Sequence, residues 1–95
     1  MNDTNYPEVT KQLAAIVNVL RTSKMKWNTA IHVSSNAGVS SRTTRHHIAR
    51  LVKLNLVKMA DVNPAPGYAW IVANEKDHPE FIAKLNIAMG MFGIQ

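Results

Sequence analysis

Four cationic residues recur at helical spacing in the middle of the chain, and their chemistry suits an anionic partner. They are Arg42, Arg45, Arg50 and Lys53. At about 100° per residue, a helix places Arg42, Arg45 and Lys53 on one side. The opposite side of the same helix is mostly apolar: Thr44, Ile48, Leu51 and Val52. A guanidinium can bond the O6 and N7 atoms of guanine in a fork. We therefore expect the basic side to bind nucleic acid.

The residues around these cations divide into base-reading and phosphate-binding candidates. We expect Arg42 and Arg45, near the helix start, to read bases, and Arg50 and Lys53 to contact phosphates. Short hydroxyls at the helix start and lysines in the flanking segments are further contacts, and Lys24 is another phosphate candidate. The predicted DNA-binding residues are Ser40, Ser41, Arg42, Thr43, Arg45, His46, Arg50, Lys53, Lys26 and Lys58.

Each of these residues also has a purely structural interpretation. The arginines could form a solvated helix face, and Ser40 or Ser41 could act only as a helix cap. The pair His46 and His47 does not predict a metal site, because adjacent helical residues point about 100° apart. The aromatic residues of the later strand can stack on bases or pack in the core, and core packing is the commoner outcome.

Three helices are predicted before and around this basic segment. The first spans about residues 7–22, opened by Pro7 and Glu8. The second begins at a cap on Asn28 or Thr29 and ends at Gly38, where a glycine takes positive φ without strain. Residues 25–27 before it form a short strand or a loop. The third runs over about residues 41–54, with Asn55 at its end.

A β-hairpin and a last helix complete the predicted order. Residues 56–62 and 68–72 read as strands, because β-branched and aromatic side chains are frequent there. The segment 63–67 between them holds two prolines and a glycine, which predicts a turn. A polar connector at 74–78 precedes a C-terminal helix over 78–93. The predicted fold class is mainly α with a small β-hairpin.

The segment 38–51 reads G-V-S-S-R-T-T-R-H-H-I-A-R-L, and L-N-L-V follows at 54–57. With the helix order, it resembles the winged helix-turn-helix transcription regulators over about residues 8–73. The resemblance implies a recognition helix at about 41–54 that lies in the DNA major groove. The size of the chain is also similar to that of small bacterial, plasmid or phage regulators. Thr44 replaces the family's usual valine, and its hydroxyl can bond back to the preceding turn. Asn55 replaces glycine, and the wing tip 63–67 lacks Arg and Lys.

The bulk composition agrees with such a protein. The chain has 95 residues, expected to form one domain, 1–95, with a winged core at 7–73. The net charge is +5, which favours an anionic partner. No cysteine is present, so disulfides and thiolate metal sites are excluded. We expect no metal or cofactor. The polar start of the chain and the lack of a long apolar run predict a cytoplasmic, nucleoid-associated protein without a membrane segment.

The C-terminal helix carries more apolar residues than a three-helix winged core needs. An uncovered apolar stripe usually marks an interface. We therefore predict a homodimer through Phe81, Leu85, Met89 and Phe92, together with helix 1. The alternative is that this helix folds back onto its own domain. Two-fold symmetry would match a palindromic DNA site.

The leading hypothesis is a double-stranded DNA-binding transcriptional regulator, a repressor or an activator, without catalytic activity or an evident small-molecule ligand. An alternative is a winged-helix module for protein interaction or nucleoprotein assembly in replication, partition or a phage. An enzyme is disfavoured because no nucleophile–base–acid set or phosphate loop is present. RNA binding stays open, although a rigid helix-turn-helix favours duplex DNA.

Overall fold

A computed structural model describes residues 5–94, and these form four α-helices, a 3-10 helix and a two-stranded hairpin. The order is α1 (Lys11–Thr22), α2 (Ala30–Ala37), α3 (Ser41–Lys53), β1 (Val57–Val62), β2 (Ala65–Trp70), the 3-10 helix (Val72–Asp77) and α4 (Pro79–Met91). The predicted fold class is confirmed, since the elements are mostly helical and the strands form one antiparallel hairpin.

Helix α1 begins four residues later than predicted. The Thr10 side-chain oxygen accepts a hydrogen bond from the Leu13 N–H at 3.2 Å, which caps the helix. Pro7 lies before the helix and is buried. The adjacent Tyr6 ring stacks on Phe81 of α4, with ring centroids 5.0 Å apart. Packing against α4 and a better cap at Thr10 therefore outweigh the helix-opening preference of Pro7.

Helix α2 uses only one of its two candidate caps. The Thr29 hydroxyl accepts from the His32 N–H at 3.1 Å, and Gly38 ends the helix at a φ of +69°. Asn28 instead is buried and exchanges backbone hydrogen bonds with Tyr68, each 2.8 Å long. This isolated bridge joins the start of α2 to the hairpin.

Helix α3 has the predicted bounds and faces. Ser40 caps it by accepting from the Thr43 N–H at 3.2 Å. Ile48 and Leu51 are buried in the core, as predicted. Asn55 follows the helix at a φ of +61°, so asparagine here supplies the left-handed conformation.

The hairpin has a shorter turn than predicted. Val57 faces Trp70 and Val62 faces Ala65, which leaves only Asn63 and the cis-linked Pro64 between the strands. The predicted turn at 63–67 was therefore too long. Gly67 belongs to β2, and a Cβ atom there would lie 2.7 Å from the Trp27 Cβ. The glycine thus allows a close approach of two segments and makes no turn.

The buried apolar side chains form one cluster around α1. Leu13, Ile16 and Val17 of α1 are fully buried, and α2, α3, the hairpin root and α4 pack against them. Phe81 and Leu85 of α4 belong to this cluster and are 4% and 0% exposed. These two residues, predicted for a dimer interface, thus pack inside their own chain. They face inward because the winged core alone leaves α1 uncovered on this side.

The Thr44 hydroxyl does not make the predicted bond to the preceding turn. Its side chain is 0% exposed, and its Oγ1 has no hydrogen-bond partner within residues 5–94. A buried polar atom without a partner costs roughly 1–3 kcal/mol.

We expect Thr44→Val to raise the free energy of unfolding by about 1 kcal/mol, because valine keeps the shape and removes the orphaned hydroxyl. Urea unfolding followed by circular dichroism measures this difference. Thr43→Val, on the same helix but half-buried, is the control. A Thr44→Val protein that is less stable than the wild type would contradict the burial of an unpaired oxygen.

Candidate nucleic-acid interface

The outer face of α3 presents two unpaired guanidinium groups. Arg42 and Arg45 are exposed, and neither makes a hydrogen bond or ion pair with any residue between 5 and 94. His46 beside them is also exposed. The buried side of the same helix fixes its rotation, because Ile48 and Leu51 are locked in the core. The predicted orientation of α3 therefore leaves both arginines available to a ligand.

The start of α3 carries the three predicted hydroxyls. Ser40 is exposed, whereas Ser41 and Thr43 are half-buried. The Ser40 oxygen accepts the capping bond from Thr43, so its own O–H hydrogen remains able to donate. Capping and contact with an anion are thus compatible at this residue.

Arg45 lies in a small cleft between the start of α2 and the hairpin. Thr29, Ala30 and Ile31 line the cleft on one side, and β2 lines the other with Ala65, Pro66 and Tyr68. Ile31 was not among the predicted contacts, although it is 62% exposed. Its apolar type gave no sequence signal for a surface position.

Arg50 and Lys53 lie apart from this cleft. They line a second groove together with Asn5 and Leu54, towards the end of α3. Arg50 is half-buried and Lys53 is exposed. Arg45 thus lies beside the hairpin, whereas Arg50 and Lys53 lie beside the N-terminal segment.

The three predicted flanking lysines lie outside α3, and Lys24 is exposed just after the end of α1. Lys26 is exposed in the α1–α2 connection, and Lys58 is exposed in β1. The tip of the hairpin has no cation, as its sequence shows, and nearby Met59 is 55% exposed. Asp61 is also exposed. The hairpin therefore carries one cation, Lys58, and one anion, Asp61, and has no net charge.

The two adjacent histidines differ in environment. The His46 and His47 rings lie 5.7 Å apart, and His47 is half-buried. Burial, the charge of His46 and the charge of Arg50 lower the pKa of His47 below its usual value. Its protonation on acidification therefore opposes folding. Residues 5–94 hold no group of three His, Asp or Glu side chains that could bind a metal.

Asn28 supports the hairpin in a way that the sequence did not indicate. Its Nδ2 donates to the Tyr68 carbonyl at 3.1 Å, and its Oδ1 accepts from the Ser23 hydroxyl at 2.6 Å. These bonds hold the root of the hairpin next to α2. A local pattern cannot reveal the bond to Tyr68, because the two residues are 40 apart in the chain.

Solved structures with similar folds include three bacterial proteins. A MarR family protein from Bacillus stearothermophilus is 20% identical, with a TM-score of 0.56 over 94% of this chain and 61% of its own. Bordetella bronchiseptica BpsR is 12% identical, with a TM-score of 0.61 over 100% and 71%. The zinc-responsive MarR family member ZitR of Lactococcus lactis is 10% identical, with a TM-score of 0.57 over 98% and 65%.

This chain has a winged helix-turn-helix fold. In that fold α2 and α3 are the helix-turn-helix, and the β1–β2 hairpin is the wing. Searches of protein-family models and of curated proteins found no match. The winged helix spans less than two thirds of the length of the Bacillus and Lactococcus proteins.

For BpsR, 6-hydroxynicotinic acid regulates DNA binding. That finding does not fit the expectation, drawn from the sequence, of no evident small-molecule ligand. Between residues 5 and 94, no helix is both long enough and apolar enough to cross a membrane.

Proposed function

We propose that this protein is a sequence-specific, double-stranded DNA-binding transcriptional regulator. The observation that carries the proposal is the exposed pair Arg42 and Arg45 on a helix whose other face is buried. An α-helix fits the major groove of B-DNA, where each base pair shows a distinct pattern of donors and acceptors. Arg42 and Arg45 read guanine in this arrangement, and His46 and the hydroxyls at the helix start contact neighbouring groups.

The remaining cations bind the DNA backbone. Arg50 and Lys53 lie further along α3, and Lys26 and Lys58 lie on flanking segments, so these side chains suit phosphates on either side of the groove. The wing contributes Lys58 but no cation at its tip. It therefore lies against the backbone and does not place an arginine in the minor groove.

The protein acts as a homodimer in this proposal, with α4 as the contact. Phe81 and Leu85 are buried in the core of their own chain, so the partner contacts the outward side of α4. Ile87 and Met91 lie on that side and are 62% and 76% exposed. A two-fold dimer reads two half-sites about one DNA turn apart. Such a protein resides in the cytoplasm with the nucleoid.

A second candidate function is a winged-helix module that binds protein within a nucleoprotein assembly. The exposed Met59 and the uncharged wing tip favour it. An apolar, uncharged surface suits a protein partner better than a polyanion. Such a module would bind its protein partner through the wing, whereas the regulator binds DNA through α3.

The dependence of binding on salt separates the two functions. Affinity for a random duplex should fall with salt, with a log–log slope that grows by about 0.9 for each phosphate that the protein neutralises. Fluorescence anisotropy titrations at KCl concentrations from about 50 to about 200 mM measure that slope. Selection from a random duplex pool then identifies the bound sequence. No binding to any duplex at the lower salt concentration would refute the regulator and leave the protein-binding module.

A further inference from the structure

The small cleft beside Arg45 offers an apolar contact that the cations and hydroxyls of the DNA-binding surface do not supply. Ile31, in the first turn of α2, lines this cleft and is 62% exposed. Ala65 and Pro66 line it from β2. An isoleucine this open to water gains free energy when an apolar group of a ligand covers it. The cleft therefore suits an apolar group of a ligand that Arg45 also binds.

The two walls of the cleft are held at a fixed separation. Asn28, just before α2, exchanges two backbone hydrogen bonds of 2.8 Å with Tyr68 of β2. The Asn28 Nδ2 donates a further bond to the Tyr68 carbonyl at 3.1 Å. The start of α2 and the strand opposite it are therefore tied together before any ligand arrives. A ligand that enters a preformed cleft does not have to order its walls, which lowers the cost of binding.

The size of the cleft limits what can occupy it. Its volume is about 60 Å³, whereas a cavity that accepts a benzene ring measures about 150 Å³. One water molecule takes up about 30 Å³ in the liquid, and a methyl group is of similar size. The cleft thus fits a methyl group and is too small for a base or an aromatic side chain. Its side chains are mainly apolar, so a phosphate entering it would lose water without compensation.

We propose that this cleft receives the C5-methyl group of a thymine next to the guanine that Arg45 reads. This rests on the proposed DNA-binding function and deepens it, because it names a second base of the recognised sequence. Among the four DNA bases, thymine alone presents a methyl group in the major groove, where small apolar side chains contact it. Neighbouring base pairs are stacked about 3.4 Å apart. A guanidinium on one base pair and an apolar cleft beside it therefore reach adjacent pairs.

Ile31 is the specificity-determining residue in this arrangement. Ala30 and Ala65 also line the cleft, but they are buried and half-buried and have little surface left to cover. Ile31 is the apolar wall that remains open, so the methyl group packs mainly against it. A cytosine at the same position lacks the methyl group and leaves Ile31 in water. The bound sequence should therefore contain thymine at this position, and α2 contributes to base reading together with α3.

Deoxyuridine tests the contact, because it keeps the hydrogen-bonding groups of thymine and lacks only the C5-methyl. Arg45→Ala first identifies the guanine, since discrimination at that base pair is lost. Replacing the neighbouring thymine of the selected duplex with deoxyuridine should weaken wild-type binding about 3- to 10-fold. In Ile31→Ala the same replacement should weaken binding less than about twofold, because the apolar wall is already absent. Val72→Ala, which truncates a side chain that is 68% exposed outside the cleft, is the matched control and should keep the full effect.

A second variant fills the cleft from the opposite wall. Ala65→Val adds two methyl groups there and should abolish the preference for thymine over deoxyuridine. Wild-type protein that binds the selected duplex equally well after every deoxyuridine replacement would overturn the thymine contact and leave the DNA-binding proposal intact. An equal loss in Ile31→Ala and in the wild type would also overturn it, because the methyl group would then act elsewhere. Absence of binding to any duplex would overturn both.

Discussion

Replacing both Arg42 and Arg45 with alanine is expected to weaken binding to the selected duplex roughly 100- to 1,000-fold. Each arginine that forks a guanine contributes about 1–3 kcal/mol of discrimination. Both side chains are exposed and unpaired within residues 5–94, so their removal deprives no other described residue of a hydrogen bond or ion pair. Anisotropy titrations with the selected duplex and with a scrambled duplex measure the change.

The comparison between the two duplexes separates base reading from backbone contact. If the arginines read bases, affinity for the selected duplex should approach that for the scrambled one. If they contact phosphates, both affinities should fall by the same factor. The control is Lys11→Ala with Lys76→Ala, which removes two exposed charges away from α3. A double arginine variant that binds the selected duplex as tightly as the wild type would refute the assigned role of α3.

Replacing Glu75 with alanine is expected to lower the free energy of unfolding by about 2–3 kcal/mol. The Glu75 carboxylate accepts from the Trp70 Nε1 at 2.6 Å and from the Arg21 Nε and Nη2 at 3.1 Å each. Arg21 in turn donates to Asn86 of α4 at 2.7 Å. One carboxylate thus joins α1, the root of the wing and, through Arg21, α4.

The expected loss comes from donors left without an acceptor, and less from the ion pair itself. The Arg21 and Glu75 side chains are 19% and 23% exposed, so solvent screens part of their attraction. For a chain of this size, the change corresponds to a Tm lower by about 10–20 °C. Thermal unfolding by circular dichroism measures it. Glu80→Ala, an exposed acid on the first turn of α4, is the control and should change the Tm far less.

The contribution of Glu75 to the stability of the protein depends on pH, and it decreases in acid. Burial raises the pKa of Glu75, but hydrogen bonds from Arg21 and Trp70 and the charge of Arg21 outweigh it and lower the pKa below the usual 4.5. A carboxylate with a lowered folded pKa stabilises the protein above its unfolded pKa, and this contribution is lost as pH falls through the folded value. The stability difference between the wild type and Glu75→Gln should therefore shrink in acid. A difference that grows on acidification would contradict the contacts.

The sequence predicted those features whose causes are local. The apolar spacing of α3 gave its buried face, and Gly38 and Asn55 were identified at the positions that need positive φ. The order of elements and the winged fold followed from these signals. The exposure of Arg42 and Arg45 also follows from the helical period, because the opposite side is apolar.

Other predictions failed where distant contacts decide the structure. Pro7 and Glu8 predicted the start of α1, but Tyr6 packs on Phe81, which is 75 residues later in the chain, and the helix begins at Lys11. The prolines at 64 and 66 and Gly67 predicted a long turn, but Gly67 sits in a strand against Trp27. The polar connector became a 3-10 helix because Glu75 meets Arg21 and Trp70.

The sequence by itself determined the helix-turn-helix, the side of α3 that is hidden and the side that carries the arginines, because side-chain spacing sets these within a few turns. Only the tertiary structure decided which apolar residues of α4 are available to a partner. Helix α4 carries apolar residues on both of its sides, so its sequence does not show which side is buried. Phe81 and Leu85 are buried against α1 only because the helices pack in the tertiary structure. That packing leaves Ile87, Met91 and Phe92 on the surface.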